Sequence, residues 1–144
     1  MIRITENDIE EIAESYISVF NSEPWNDSWT KEQAVERLTD FFRTPKFEGV
    51  MERADGKIAA VLLGRGETYF DGIHFQILEF WVDKAMQRQG IGGRLLEEFI
   101  EYLKFKGIYH HFLITLHGEC TEGFYEKHGF KADDFLCLMQ KHEI

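Results

Sequence analysis

The hydrophobic pattern changes period twice along this 144-residue chain, and the order of those changes restricts the fold more than any single residue does. Ahead of Phe47 the apolar residues recur at helical spacing. Ile9, Ile12, Ala13, Tyr16, Ile17 and Phe20 share one helix face behind Thr5 and Asp8, and Ala34, Val35, Leu38, Phe41 and Phe42 share another behind Thr30 and Gln33. A Thr followed three residues on by a side chain that can reach back to it is the pattern of a capped helix start. Thr44-Pro45 closes the second helix, because the residue before a proline is pushed out of the helical region. From Phe47 the period is two: segments 47–53, 57–64 and 73–82 read as an antiparallel meander, with turns at Asp55-Gly56 and Gly64-Arg65-Gly66.

Helical spacing returns over 94–106, stopped by Gly107, and a strand over 108–116 follows. Strand, helix and strand in that order require parallel neighbours joined by a right-handed crossover, so the sheet is mixed. A short helix over 121–128 and one or two closing strands over 130–141 complete the order β-α-α-β-β-β-α-β-α-β-β. This predicts an α+β fold in one domain, residues 1–144, with a short alternating strand at 2–4 in front.

Sixteen Lys and Arg against 26 Asp and Glu leave a net charge of −10, which repels phosphate backbones and anionic lipid surfaces and favours cationic small molecules. No nucleic-acid partner is expected. The longest wholly apolar run, 58–63, is far short of the roughly 20 residues that cross a bilayer, so no membrane association is expected either. Glu6 and Asp8 stand where a signal peptide carries basic residues, which predicts a cytoplasmic protein. Cys120 and Cys137 are too few for a disulfide framework and lack metal-ligand spacing. His117-Gly118-Glu119 starts like a zinc deaminase signature, but no Pro-Cys-x-x-Cys follows, and no metal is expected. His110 and His111 read as structural strand residues.

The segment with the most chemical content is Phe80-Trp81-Val82, then Gln87-Arg88-Gln89-Gly90-Ile91-Gly92-Gly93-Arg94, a strand end, a glycine loop and a helix start. Glycines let backbone approach a ligand, and a helix start offers unpaired N–H groups at the positive end of its dipole. On this ground alone the loop is either a pyrophosphate site or a tight turn that merely begins a helix. A dinucleotide fingerprint wants a third glycine where Leu95 stands, and a P-loop wants Gly-Lys-Ser/Thr, which is missing.

Gln87 to Gly92 matches in full the Gln/Arg-x-x-Gly-x-Gly/Ala motif of the GNAT superfamily of acyl-CoA-dependent N-acyltransferases. Phe124-Tyr125-Glu126-Lys127-His128-Gly129-Phe130 resembles that family's Phe-Tyr-x-x-x-Gly-Phe. The resemblance covers most of the chain, since the two early helices, the meander and the motif-bearing helix fall in the family's order. It implies a mostly antiparallel mixed sheet of six to seven strands, about four flanking helices, and a parallel βαβ splay at the cofactor site. It implies acetyl-CoA as acyl donor, held by Gln87, Arg88, Gln89, Gly90, Ile91, Gly92, Gly93 and Arg94 around the pyrophosphate and by the backbone of Phe80, Trp81 and Val82 along the pantetheine arm. An amide N–H near Trp81 or Val82 is the implied oxyanion donor.

The same resemblance aligns Tyr125 with the general acid that protonates the departing thiolate, against the plainer role of an aromatic covering the core edge. Glu79 is the acid on the strand leading to the motif and the candidate base for the amine. Gln76, three positions earlier, or a water relay stands as the alternative, and a strand bulge would decide between the two positions. In this family the loop between the first two helices shapes the acceptor site. Here that loop carries Glu23, Trp25, Asp27 and Trp29, which suit an alkylammonium by cation–π and ionic attraction, or else pack the loop onto the core. The implied activity is acetylation of a primary amine on a small cationic acceptor. A catalytically silent acyl-CoA-binding module and an enzyme for protein or peptide amines remain the other readings. Phe135 and Leu138 on the closing strands are the expected homodimer contact. One departure is Gly118, standing where many members carry an Asn seven residues before the tyrosine.

Overall fold

The computed structural model describes residues 1–143. Five strands and four α-helices are present among them: β1 (Ile2–Arg3), α1 (Ile9–Phe20), α2 (Lys31–Phe42), β2 (Phe47–Ala54), β3 (Lys57–Tyr69), β4 (Gly72–Val82), α3 (Ile91–Phe105), β5 (His110–Leu113) and α4 (Glu122–Lys127). The strands form one sheet in the order β1-β2-β3-β4-β5. Neighbours are antiparallel from β1 to β4, and β4 pairs with β5 in parallel. The mixed α+β class expected from the periodicity is the one observed. The chain divides into two compact units, Met1–Ile114 and Thr115–Ile144, and the whole sheet lies in the first.

Helices α1 and α2 form where the capped stripes predict them. At α2, Gln33 N donates to Thr30 Oγ1 at 3.1 Å while Thr30 N donates to Gln33 Oε1 at 3.0 Å, so two otherwise orphaned donors are satisfied reciprocally. The stripes of both helices pack on one face of the sheet, where Ile12, Ala13, Tyr16, Ala34 and Leu38 meet Met51, Val61, Leu63 and Trp81. Helix α3 contacts β2, β3 and β4, with Phe99 against Phe75 at 5.5 Å between ring centroids and Leu95, Leu96 and Leu103 also buried. Each such side chain removed from water contributes about 1.5–3 kcal/mol before entropy is counted.

Three expectations change. The strand over 57–64 does not end at Gly64: β3 runs to Tyr69, and the turn falls at Phe70-Asp71. Helix α3 begins at Ile91 rather than Arg94, so Gly92 and Gly93 lie inside its first turn. No strand forms over residues 130–143, which leaves five strands instead of six or seven among the described residues. There Asp133 Oδ1 accepts from the backbone N–H of Phe135 and Leu136 at 2.7 and 2.8 Å, a local turn that takes donors a ladder would need. Phe135 and Leu138, the expected dimer contacts, are exposed.

Gly64 has a role other than turning the chain. In the β3–β4 register Leu63 faces Glu79 and Gly64 faces Ile77, so Leu78 is one residue extra in β4, a β-bulge. A Cβ on Gly64 would lie 2.0 Å from the Gln76 carbonyl oxygen and 2.7 Å from the Phe75 ring. Only glycine allows β3 this close to the bulged strand. Below the bulge Phe75 meets α3; above it Glu79 and Trp81 bond to residues of α1 and α2. The extra residue moves the odd-numbered positions from one face of the sheet to the other. Gly64→Ala should therefore cost about 3 kcal/mol or more, at the upper end of overpacking penalties, read as a lowered urea midpoint.

Candidate active site

Strand β4 extends beyond its parallel partner. β4 and β5 are in register only from His74–His110 to Ile77–Leu113, and β5 ends there while β4 continues to Val82, paired on its other side with β3. The parallel ladder therefore stops at the bulge. At the near end of their ladder Tyr69, His74 and His110 stack, with centroid separations of 4.1 and 3.8 Å, and His74 Nε2 lies 2.8 Å from Asp71 Oδ1.

Glu79 is the first residue past the bulge and is buried at 9% exposure. Its Oε1 accepts from Arg37 Nε of α2 at 2.8 Å and from Tyr16 OH of α1 at 3.2 Å. Burial pushes the Glu79 carboxyl up; the Arg37 hydrogen bond and charge and the Tyr16 hydroxyl pull it down, and Asp27 adds a smaller upward push. The result is above the ordinary carboxylate value. Tyr16 is raised, by burial first and by the Glu79 charge second, so its phenol remains a donor at any working pH.

Aromatic rings surround this carboxylate. Tyr16 meets Trp29 and Trp81 edge-on at 5.3 and 5.2 Å and Phe20 at 4.6 Å. Trp81 Nε1 donates to Ser15 Oγ at 2.9 Å. The Arg37 guanidinium lies over Phe41 at 4.7 Å and Trp29 at 5.6 Å. In the α1–α2 loop Asn21 holds Trp29 from both sides, with Nδ2 donating to Trp29 O and Oδ1 accepting from Trp29 N, each at 2.9 Å. Trp29 Nε1 donates to Asp27 Oδ2 at 3.1 Å. Trp25 packs on Phe20 at 5.6 Å, and Glu23 is exposed. Both tryptophans thus make core contacts, and the exposed carboxylates lie on the same loop.

Beyond Val82 the chain turns through Gln87–Gly90 into α3. Gln87 Nε2 donates to Val82 O at 3.0 Å, tying the loop to the strand end. Arg88 and Gly90 both have left-handed backbone, φ 65 and 79. The helical ladder opens with Arg94 N donating to Gly90 O at 3.1 Å, so the amides of Ile91, Gly92 and Gly93 precede it, as at any helix start. No acidic residue occupies the first turn of α3. A loop with two left-handed residues leading into a 15-residue helix with no carboxylate at its start suits an anion.

Tyr125 and Gly118 belong to the second unit. Tyr125 sits in α4 with its ring 5.2 Å from Phe124 and 5.6 Å from Phe130. Gly118 has φ 135 and its carbonyl accepts from Gly123 N at 2.9 Å, in front of α4. Such a backbone disfavours any side chain, Asn included, which accounts for the glycine at that position. Cys120 and Cys137 are free and exposed, and no cluster of three or more His, Cys, Asp or Glu side chains suited to a metal occurs among the described residues. Among those residues no helix is long and apolar enough to cross a membrane.

Arg37 and Tyr16 were not singled out by sequence. A signal existed for Arg37: three residues after Ala34 and four before Phe41, it interrupts the apolar stripe of α2, and a charge inside such a stripe needs a partner.

The acetyltransferase (GNAT) family profile matches residues 9–130. The chain belongs to that family. Solved structures similar in fold include a possible acetyltransferase from Clostridium difficile 630, with 16% identity, coverage of 99% of this chain and 95% of that one, and a TM-score of 0.80. An aminoglycoside acetyltransferase from an uncultured soil metagenomic sample, in complex with sisomicin, has 19% identity, coverage of 99% and 94%, and a TM-score of 0.75. A predicted acetyltransferase from Clostridium acetobutylicum, solved with acetyl-CoA, has 13% identity, coverage of 96% and 93%, and a TM-score of 0.72. No curated protein matches the chain.

Because the folded-state value of Glu79 is raised, the sign of its pH effect is fixed. Its protonated form is favoured by folding, so its contribution is fully present below the ordinary carboxylate range and is lost as pH rises through the folded value. The Tm of Glu79→Gln minus that of the parent protein should therefore increase from pH 4 to pH 8, measured by differential scanning calorimetry.

Proposed function

We propose that this protein is an acetyl-CoA-dependent N-acetyltransferase whose acceptor is a primary amine on a small cationic molecule, and that the whole chain works as one catalytic domain. The observation that carries the reading is the end of the β4–β5 ladder at Ile77–Leu113, with Glu79 one step past the bulge and the left-handed loop at Arg88 and Gly90 beyond the far end of the same strand. A ligand with an anionic group at one end and amides along its arm matches that sequence of features. The pyrophosphate would meet amides from Arg88 to Gly93, with Gln87, Ile91 and Arg94 framing them, and the pantetheine amides would run along Phe80, Trp81 and Val82.

The reaction is direct attack. The amine nitrogen bonds to the thioester carbonyl carbon, the carbonyl electrons move to oxygen, and an amide N–H near Trp81 or Val82 stabilises that oxyanion. The C–S bond then breaks as the carbonyl re-forms. Glu79 takes the proton the amine loses, directly or through water, and Tyr125 gives its phenolic proton to the thiolate; solvent restores both. Tyr125 has this role on its motif, Phe-Tyr-x-x-x-Gly-Phe. The net charge of −10 and the exposed Glu23 on the loop that also carries Trp25 and Trp29 favour a cationic acceptor.

Two measurements test this. Isothermal calorimetry with acetyl-CoA should show one site per chain; no heat of binding overturns the reading. Release of free CoA thiol should then be followed with polyamines, aminoglycosides and N-terminal peptides, where turnover on peptides alone would move the acceptor class to proteins. Glu79→Gln and Tyr125→Phe should each lower kcat by about 10²- to 10⁴-fold, the usual worth of a positioned acid or base, while acetyl-CoA affinity is retained. Unchanged behaviour of Tyr125→Phe in a protein that binds but does not turn over would instead identify a silent acyl-CoA-binding module.

A further inference from the structure

Glu79 is held in an asymmetric way. The Arg37 Nε and Tyr16 OH donors both converge on Oε1, and among the described residues no donor reaches Oε2. Arg65 Nε is the one side-chain nitrogen or oxygen among those residues that is both enclosed and without a partner. Oε2, which also lacks a donor, therefore keeps contact with solvent. The two holding groups are themselves fixed. Arg37 lies over the Phe41 and Trp29 rings, and Tyr16 is buried against Phe20, Trp29 and Trp81.

We infer that Arg37 and Tyr16 are positioning residues for Glu79, which they pin through Oε1 so that Oε2 is left as the one proton-accepting atom. Two consequences follow from the chemistry. The carboxylate cannot rotate to offer its other oxygen without breaking two hydrogen bonds, so the direction of proton transfer is set by helices α1 and α2 rather than by β4 alone. Its basicity is a balance, since burial favours the neutral acid and the guanidinium favours the anion. The titratable and charged groups that face Glu79 are Tyr16 from α1, Arg37 from α2 and, more weakly, Asp27 from the loop between them, while β3 presents Leu63 opposite it. Arg37 is the sole cation in that set. It keeps a buried base ionisable in the working pH range.

This inference rests on the reading of Glu79 as the base for the amine, and its test separates the two. The protein is labelled with ¹³C at glutamate carboxyls and titrated by NMR without acyl donor, the Glu79 signal being the one lost in Glu79→Gln. In Arg37→Met the Glu79 midpoint should rise by roughly one pH unit or more, the usual effect of removing an opposite charge at this distance. In Tyr16→Phe it should rise by less, and in Arg37→Lys it should fall between the parent and Arg37→Met. A Glu79 midpoint unmoved or lowered in the Arg37 variants and in Tyr16→Phe overturns the inference. If Arg37→Met does not fold, as judged by circular dichroism, the Tyr16→Phe and Arg37→Lys midpoints decide it in the same sense. With acceptor and acetyl-CoA present, the acidic limb of the kcat/KM profile should move to higher pH in step with the midpoint. A limb that persists in Glu79→Gln removes the base assignment, and the NMR midpoints then still report the clamp independently.

Discussion

One inserted residue organises the part of this fold that carries the candidate site. With Leu78 bulged out of the β3–β4 register, the side chains of β4 switch faces between Ile77 and Glu79, and the parallel ladder with β5 stops at the same place. A regular strand would send Glu79 toward α3, into a layer built of Phe75, Phe99, Leu95 and Leu96. Those four side chains offer a carboxylate no hydrogen bond. The bulge delivers it to the layer where Tyr16 and Arg37 wait. Gly64 is the condition for this geometry, because the Gln76 carbonyl occupies the space of a Cβ.

The electrostatics of the site are less one-sided than the net charge suggests. The chain as a whole is strongly acidic, and the α1–α2 loop offers exposed Glu23 and Asp27. At the centre, though, a guanidinium sits against Glu79 and over Trp29. Long-range attraction of a cation and its local reception are thus separate matters. An acidic surface attracts cations at long range, while Arg37 disfavours a second positive charge beside Glu79. The proposed amine acceptor, arriving charged and reacting neutral, would fit both facts.

Much of the fold was legible because hydrophobic period and capping chemistry are local signals. The Thr30–Gln33 box, the stripes of α1 and α2, the meander and the βαβ order all follow from residues within a few positions of one another. What sequence misplaced depends on distant partners. Gly64 reads as a turn residue until Gln76 is brought against it, and the apolar residues from Phe130 onward read as strands although Asp133 diverts their amides into a local turn. The glycine loop and Glu79 were visible in the site, and the possibility of a bulge was visible with them. Arg37 and Tyr16 were not, since their role lies 42 and 63 residues away along the chain and a helix stripe alone does not tell a core aromatic from a hydrogen-bond donor.

The left-handed backbone at Arg88 has a consequence of its own. A non-glycine residue in that region is less stable by about 1–2 kcal/mol, and the loop adopts it while anchored by the Gln87 side chain at one end and the start of α3 at the other. Hydrogen bonds of the chain itself hold those torsions. Whatever occupies this cradle should meet it nearly in final shape, with recognition governed by fit and charge rather than by the ordering of a flexible segment.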